Sequence, residues 1–451
     1  MAQKIRFLAS PLTGMFTVLS LFSQYSYRIP WGELWIPLLI GVVVGFILYG
    51  LLLIPKITRP SAPISASVLT AISMFWMLFD NTIFAAGIIL AVIALAVKSK
   101  PEHIKIANTY FVSMASVAVV LSFVWAGINT TVVKDTETAS GNLLNKPDIY
   151  FIIPDRMPSH DSLLESGYDN SAFVTEMESR GYYVNPAALS VDKILPSSDD
   201  VDTSRTPRFV SSVLNLGMEI NVDTPYNVVS RAIKYHMVGK ILKANGYDYH
   251  HVGTWWSETE VNEMADYNWV MEGSTFMPVD ELAISVLDRS IFRYLTTYPF
   301  RFFRWNNTLD SMRRDQHLYQ METTKDIAAN YPSPKFVFVH LILPHPPYVW
   351  TADGQPQENT ELIPQEAYLE QIKFCETYLI EMIDSIKDEQ AIVIIQADEG
   401  MAYQDDTING SLSMLQWNGV LSAWRIPGAD PNELDNVKPN EILKYVIEGL
   451  E

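Results

Sequence analysis

The sequence predicts an N-terminal α-helical membrane bundle of about five spans, followed by an α/β domain with a mostly parallel or mixed central sheet. Three observations lead there. Charge is divided unevenly: residues 1–134 carry nine Lys/Arg and three Asp/Glu, and the rest of the 451-residue chain carries 23 basic and 48 acidic residues. Apolar stretches of membrane-span length fall in the first part. Beyond residue 147, short β-branched runs alternate with amphipathic helical patterns, which marks an α/β domain.

A span needs about 20 apolar residues. Trp35 to Ile54 and Asn108 to Ile128 meet that length, and Leu8 to Tyr27 is a weaker candidate. Ile64 to Val97 is too long for one span and holds Asp80 and Asn81 at its middle. A mid-bilayer charge costs at least ~2.5 kcal/mol, so this stretch reads as two helices turning at Asp80-Asn81. Basic residues then alternate from side to side: Lys4 and Arg6, Lys56 and Arg59, and Lys98, Lys100 and Lys105 fall on one side. That side is cytoplasmic, and an odd number of spans places the large domain outside. A cleaved signal peptide is not expected, because more spans follow the first. The division is therefore a transmembrane anchor over 1–128, a polar linker over 129–146 and an ectodomain over 147–451.

The acidity of the ectodomain argues against a nucleic-acid partner, which needs basic surface. Cys375 is the only cysteine, so no internal disulfide forms, and its helical context reads as a buried small hydrophobe. DIYFII (148–153), KFVFVHLIL (335–343) and AIVIIQ (391–396) have the apolar continuity of strands buried on both faces, and DYHHVG (248–253) is a shorter candidate. Helical patterns cover DNSAFVTEMESRG, closed by Gly181, NVVSRAIKYHMVGKILKANG, closed by Gly246, and EAYLEQIKFCETYLIEMIDSIKD.

Three of those strands end in groups that carry chemistry. Asp155 follows the first, His345 the second, and Asp398 and Glu399 the third. Sites in such sheets lie beyond the carboxyl ends of the strands, and carboxylates with an imidazole can hold a divalent ion. A lone Asp after a strand is more often a turn or cap; the conjunction favours a metal. Thr206 before Pro207 reads as the N-cap of a helix, and a plain structural cap is the simpler reading of it. In a metal site the same hydroxyl is a candidate nucleophile, with Thr203 and Ser204 as neighbours that compete for the role. His340, inside an apolar run, reads as a core histidine before a ligand; His250 and His251 as strand residues among packing aromatics; His236 and His317 as structural or exposed. Core packing is the simpler role for the tryptophans.

The segments PDIYFIIPDRMPSHDSLLESGYDNSAFVTEMESRGYYV, RTPRFVSSVLNL, KFVFVHLILPHPPYVWTADG, AIVIIQADEG and WNGVLSAWRIPGAD together resemble the membrane-anchored sulfatase-like branch of the alkaline phosphatase superfamily. Lipoteichoic acid synthases and lipid A phosphoethanolamine transferases are relatives of that architecture. The resemblance covers most of residues 147–445 and implies an alkaline-phosphatase-like sandwich domain. It implies Thr206 as nucleophile, Asp155, Thr206, Asp398 and Glu399 around a divalent metal ion (Zn, Mn or Mg), and His345, with His340, at the transferred group. The implied activity is transfer of a phosphoethanolamine- or phosphoglycerol-type group from a phospholipid donor to an envelope glycan or lipid acceptor. Its setting is a bacterial inner or plasma membrane, with the large domain on the periplasmic or extracellular side. A phosphate- or sulfate-ester hydrolase on the same site is the first alternative, with sulfatase chemistry disfavoured because Thr206 is neither Cys nor Ser. A degenerate glycan- or partner-binding ectodomain is the second. Two departures bear on that choice: Glu399 stands where the pattern has His in Asp-His-Gly, and Arg156 stands where it has Gly after the opening Asp. The lead-in to Thr206 is also unusually acidic, at Asp199, Asp200 and Asp202.

Overall fold

The computed structural model describes residues 6–26, 31–54, 62–74, 101–130, 142–190, 205–220, 223–271, 282, 286, 289–290, 305–357, 363–401, 403 and 411–451. The expected turn at Asp80-Asn81, most of the linker, Thr203, Ser204 and the acidic lead-in lie outside these residues. The chain divides into two compact units, Met1–Lys134 with Thr275–Asn307 and Asp135–Ser274 with Thr308–Glu451.

The first unit contains the helices Ala9–Tyr25, Trp35–Leu53, Ala62–Met74 and Pro101–Thr130. Among the described residues, Trp31–Leu53 and Glu102–Ile128 are long and apolar enough to cross a membrane, while Ala9–Ser23 and Ala62–Met74 are shorter apolar helices. Two of the five expected spans are thus candidates of full length among the described residues, and most of the stretch expected to form the third and fourth lies outside them. Small residues set the packing. A Cβ on Gly14 would lie 2.0 Å from the Gly41 carbonyl oxygen, so the first two helices cross backbone to backbone where glycine is required. Ser10 and Thr70 join two helices through a 2.8 Å hydroxyl contact. Leu282 and Val286, distant in sequence, pack into the same core as Val18, Phe22 and Leu38, and this is why the segment Thr275–Asn307 groups with this unit.

The second unit is built on a seven-stranded sheet. Its strands are β1 (Ile149–Pro154), β2 (Tyr183–Asn185), β3 (Asp248–Val252), β4 (Tyr267–Trp269), β5 (Lys335–Leu341), β6 (Ile392–Gln396) and β7 (Ser422–Arg425). The order is β2-β7-β6-β1-β5-β3-β4. β6, β1, β5, β3 and β4 run parallel, and β7 and β2 pair antiparallel at one edge, so the sheet is mixed. Alternate residues feed two cores on opposite faces. Tyr150, Ile152, Val337, Val339, Val393 and Ile395 pack with Ile372, Leu379 and Met382 of the Pro364–Ser385 helix. Ile149, Phe151, Ile153, Phe336, Phe338 and Ile394 pack with Phe209 and Val213 of the Arg205–Leu214 helix and with Val446 near the C-terminus. Full burial of each such side chain contributes roughly 1.5–3 kcal/mol. Cys375 is buried, as expected, and Trp350, Trp417 and Trp424 are core residues.

One helical expectation is corrected. The pattern 227–246 forms two helices, Tyr226–Lys234 and Met237–Ala244, because His236 leaves the helix and caps the second one, its Nδ1 accepting from Gly239 N at 2.9 Å. His236 and His317 are both buried.

Candidate active site

Strand register assembles the site. Ile152 of β1 pairs with Ile395 of β6, and Ile153 of β1 pairs with His340 of β5. Three residues beyond the Ile152–Ile395 pair, on each strand, stand Asp155 and Asp398. The Asp155 N–H continues the ladder to the Leu341 carbonyl at 2.8 Å. The three strand ends therefore meet at one edge, and Asp155, Asp398 and Glu399 are all buried there.

Thr206 comes to the same place from the Arg205–Leu214 helix. It is the second helical residue, two positions further in than the N-cap expected from Pro207, since the helix opens at Arg205. Its hydroxyl donates to Asp398 Oδ2 at 2.5 Å and lies 3.1 Å from Glu399 Oε1. Asp398 Oδ1 accepts two backbone N–H groups, from Glu399 at 2.8 Å and from Arg156 at 3.2 Å. Gly400 closes the turn because a Cβ there would lie 2.5 Å from the Trp417 carbonyl oxygen.

Arg156 has a left-handed backbone, φ +63°. A non-glycine residue there costs about 1–2 kcal/mol. It is held by its own backbone bonds, the N–H to Asp398 and the carbonyl to the Tyr368 hydroxyl at 2.5 Å. Its guanidinium Nε stands 3.4 Å from Glu399 Oε2, with the arginine side chain 23% and the glutamate 7% exposed. Arg205 is the second cation. Its Nη2 lies 3.0 Å from Ser190 Oγ and 3.4 Å from Asn418 Oδ1, and the group stacks over Trp417.

These contacts separate the three carboxyls electrostatically. Burial, then the charge of Asp398, pushes Asp155 well above the carboxylate range. Burial and the Glu399 charge push Asp398 up to about 6, against the Thr206 hydrogen bond. Burial would raise Glu399 too, but Arg156 and Arg205 outweigh it and hold it below the usual range.

His345 donates Nδ1–H to the Pro346 carbonyl at 2.5 Å, and burial with the Arg156 charge keeps it neutral. Its Nε2 is then an acceptor. Gln371 Nε2 donates to the Pro344 and His345 carbonyls at 3.1 Å and shapes this loop. His340 is a core histidine with one open nitrogen. Thr259 Oγ1 is 2.8 Å from its Nδ1, while Nε2 has no hydrogen-bond partner and lies 3.9 Å from Asp155 Oδ2. His250 and His251 are buried on β3 among aromatics, as expected.

The structure thus brings Asp155, Thr206, Asp398 and Glu399 together, but as a hydrogen-bonded network. Asp398 is committed through both oxygens and Glu399 to Thr206 and Arg156. Asp155 Oδ1 is buried without a partner. Among the described residues, no group of three or more His, Cys, Asp or Glu side chains is disposed to hold a metal ion. The donor set expected for Zn, Mn or Mg does not fit the ion in this arrangement, because a guanidinium stands where Glu399 would offer its free oxygen.

No family model matches the sequence, and no curated protein does. Solved structures do. Their structural neighbours include phosphoethanolamine transferase domains and sulfatases. The zinc-complexed C-terminal periplasmic domain of EptC from Escherichia coli aligns at TM-score 0.39 and 11% identity, over 70% of this chain and 84% of that one. The C-terminal periplasmic domain of phosphoethanolamine transferase EptC from Campylobacter jejuni aligns at TM-score 0.41 and 8% identity, over 68% and 89%. The soluble domain of lipooligosaccharide phosphoethanolamine transferase A from Neisseria meningitidis aligns at TM-score 0.37 and 8% identity, over 69% and 84%.

Residues that sequence reasoning missed are Thr259, Tyr368, Gln371, Arg205 and Asn418. Thr259, Tyr368 and Gln371 hold His340, Arg156 and the His345 loop, and Asn418 lies against Arg205, whose charge acts on Glu399; none has a local motif, and only the Arg in RTPRFV stands next to a candidate.

Proposed function

We propose that this protein is a membrane-anchored phosphotransferase, which moves a phosphoethanolamine- or phosphoglycerol-type group from a phospholipid to an envelope glycan or lipid through a phospho-threonine at Thr206. The observation that carries the reading is the 2.5 Å contact from the Thr206 hydroxyl to Asp398, a carboxyl pushed up to about 6. A base poised near neutral pH and hydrogen-bonded to a hydroxyl is the arrangement of an activated nucleophile.

In this reading Asp398 takes the Thr206 proton as the oxygen bonds to phosphorus. The phosphorus–oxygen bond to the lipid glycerol breaks, and the departing oxygen takes a proton from water. Arg156 neutralises the phosphoryl oxygens. In the second half-reaction the acceptor hydroxyl gives its proton to Nε2 of His345, which passes it to the hydroxide left by the first step, and displaces Thr206, which recovers its proton from Asp398. His340 lies beside Asp155 and would contact the transferred group. The setting is a bacterial inner or plasma membrane with the α/β domain on the outer side. The anchor would hold the site near a lipid donor and raise its effective concentration. A degenerate binding ectodomain is the second reading, favoured by the commitment of Glu399 to Arg156.

The test uses the full chain in lipid nanodiscs with head-group-labelled phosphatidylethanolamine and phosphatidylglycerol. Labelled product and a mass adduct on the Thr206 peptide are expected, both lost in Thr206→Ala. Head-group binding without any adduct identifies the degenerate ectodomain, and release of the head group to water alone identifies the hydrolase.

A further inference from the structure

We infer that the guanidinium of Arg156 replaces the divalent cation at this site, so that the protein binds phosphate esters without a tightly held metal ion. For catalysis the inference rests on the phosphotransfer reading; for metal binding it stands by itself. Two of the positions at which the sequence departs from the pattern it resembles, Arg156 and Glu399, lie far apart in the chain. In the structure they face each other at 3.4 Å. They are one change in two places: an added carboxylate and an added cation that answer each other's charge.

The placement of Arg156 is built. Its left-handed backbone is secured by Asp398 on one side and Tyr368 on the other, which fixes the direction in which the side chain leaves the turn. The guanidinium then lies against the carboxylates and retains some exposure, 23%. A substrate can reach it. A planar guanidinium offers several donors in a fork that matches phosphoryl oxygens, and it stays charged at any working pH. A divalent ion entering here would have to displace Arg156 from Glu399, and Thr206 and two backbone N–H groups from Asp398. The other nearby cation, Arg205, is directed at Ser190, Asn418 and the Trp417 ring.

The experiment measures metal binding and Thr206 modification separately. Full-length protein in detergent is titrated with Zn, Mn and Mg, with bound ion determined by elemental analysis, for wild type and Arg156→Gly/Glu399→His. The double variant is expected to bind one ion at least about 100-fold more tightly than wild type, since it gains a ligand and loses the competing cation. Wild-type adduct formation at Thr206 is expected to survive chelation. One tightly bound divalent ion per wild-type chain, lost in Asp398→Asn, overturns the inference; this arm does not depend on the double variant folding. Arg156→Lys is expected to keep the weak metal affinity and lower adduct formation at least about 10-fold, because a point charge cannot reproduce the fork. Absence of a Thr206 adduct under all conditions sinks the phosphotransfer reading, while the metal titration still decides the inference.

Discussion

Replacing Arg156 by methionine tests the electrostatic core of the site. The change keeps the bulk of the side chain and removes one charge from a buried cluster. Two unit charges 3.4 Å apart interact by ~5 kcal/mol at an effective dielectric of about 20. Partial exposure of the arginine lowers this, and loss of one member of a buried pair typically costs about 3–5 kcal/mol. We expect ~3 kcal/mol for Arg156→Met. Arg156→Gly should cost about 1 kcal/mol less, because glycine accepts φ +63° without strain. The double variant Arg156→Met/Glu399→Gln removes both charges and should recover ~2 kcal/mol of the loss, a coupling that a double-mutant cycle measures. Glu399 is held below its ordinary range, so its contribution is present above the unfolded carboxyl value and is lost as pH falls through its folded value. The assay is hydrogen exchange at neutral pH on full-length protein, read at the peptide covering 391–402. A cost of ~3 kcal/mol appears there as roughly 150-fold faster exchange. A single-variant effect below ~1 kcal/mol together with zero coupling would show that the pair does not hold the site.

Three further outcomes follow from the same geometry. Thr206→Ser should keep a measurable share of head-group transfer and Thr206→Ala none, because only the hydroxyl reaches Asp398; equal rates in the two, followed by product fluorescence, would exclude Thr206 as nucleophile. Gly400→Ala forces a Cβ to 2.5 Å from the Trp417 carbonyl oxygen, and should cost about 1–3 kcal/mol in exchange at the same peptide. Acid should destabilise the α/β unit through His236, His251 and His317, buried residues pushed down to about 3, about 4 and about 4. Each Nδ1 accepts a hydrogen bond, from Gly239 N, the Tyr249 hydroxyl and Trp350 Nε1, which protonation breaks. Their folded values lie below the unfolded ~6.5, so the stability they contribute is complete above pH ~6.5 and lost as pH falls toward 4, at up to ~1.4 kcal/mol per pH unit for each histidine. Thermal melts between pH 7 and 5 that do not move would refute this.

The legible part of the fold was the part with long apolar runs. β1, β3, β5 and β6 lie where their β-branched stretches placed them, and their parallel order explains why Asp155, His345 and Asp398 share an edge. β2 and β4 are three residues each, and β7 is the four-residue SAWR; segments that short carry no period. The Tyr226–Ala244 break was invisible because His236 fits a helical pattern, and its capping bond to Gly239 appears only in three dimensions. Thr206, Asp398 and Glu399 were named from residue type and position. What residue type could not say is where each lone pair points, and this decides between a ligand set and a network. Arg156 and Glu399 each read as a defect in its own motif; only the register of β1 with β6 makes them partners.

That partnership also addresses a difficulty set by composition. Residues 135–451 carry 48 acidic against 23 basic residues, and a phospholipid head group carries negative charge on its phosphate. Long-range steering therefore works against the donor. Two features answer this at different ranges. In the proposed function, tethering to a membrane would replace steering by effective concentration, which is indifferent to the sign of the domain's charge. At the site itself, Arg156 and Arg205 hold Glu399 ionised and supply local positive potential beside Thr206. Burial and the Glu399 charge raise Asp398 to about 6. A site that lost Arg156 alone would present uncompensated carboxylates to an anionic substrate and would fail to bind it before any question of catalysis arose. If the proposed phosphotransfer holds, charge balance at Arg156–Glu399 is a condition for phosphate to enter, and the environment of Thr206 follows from the same pair.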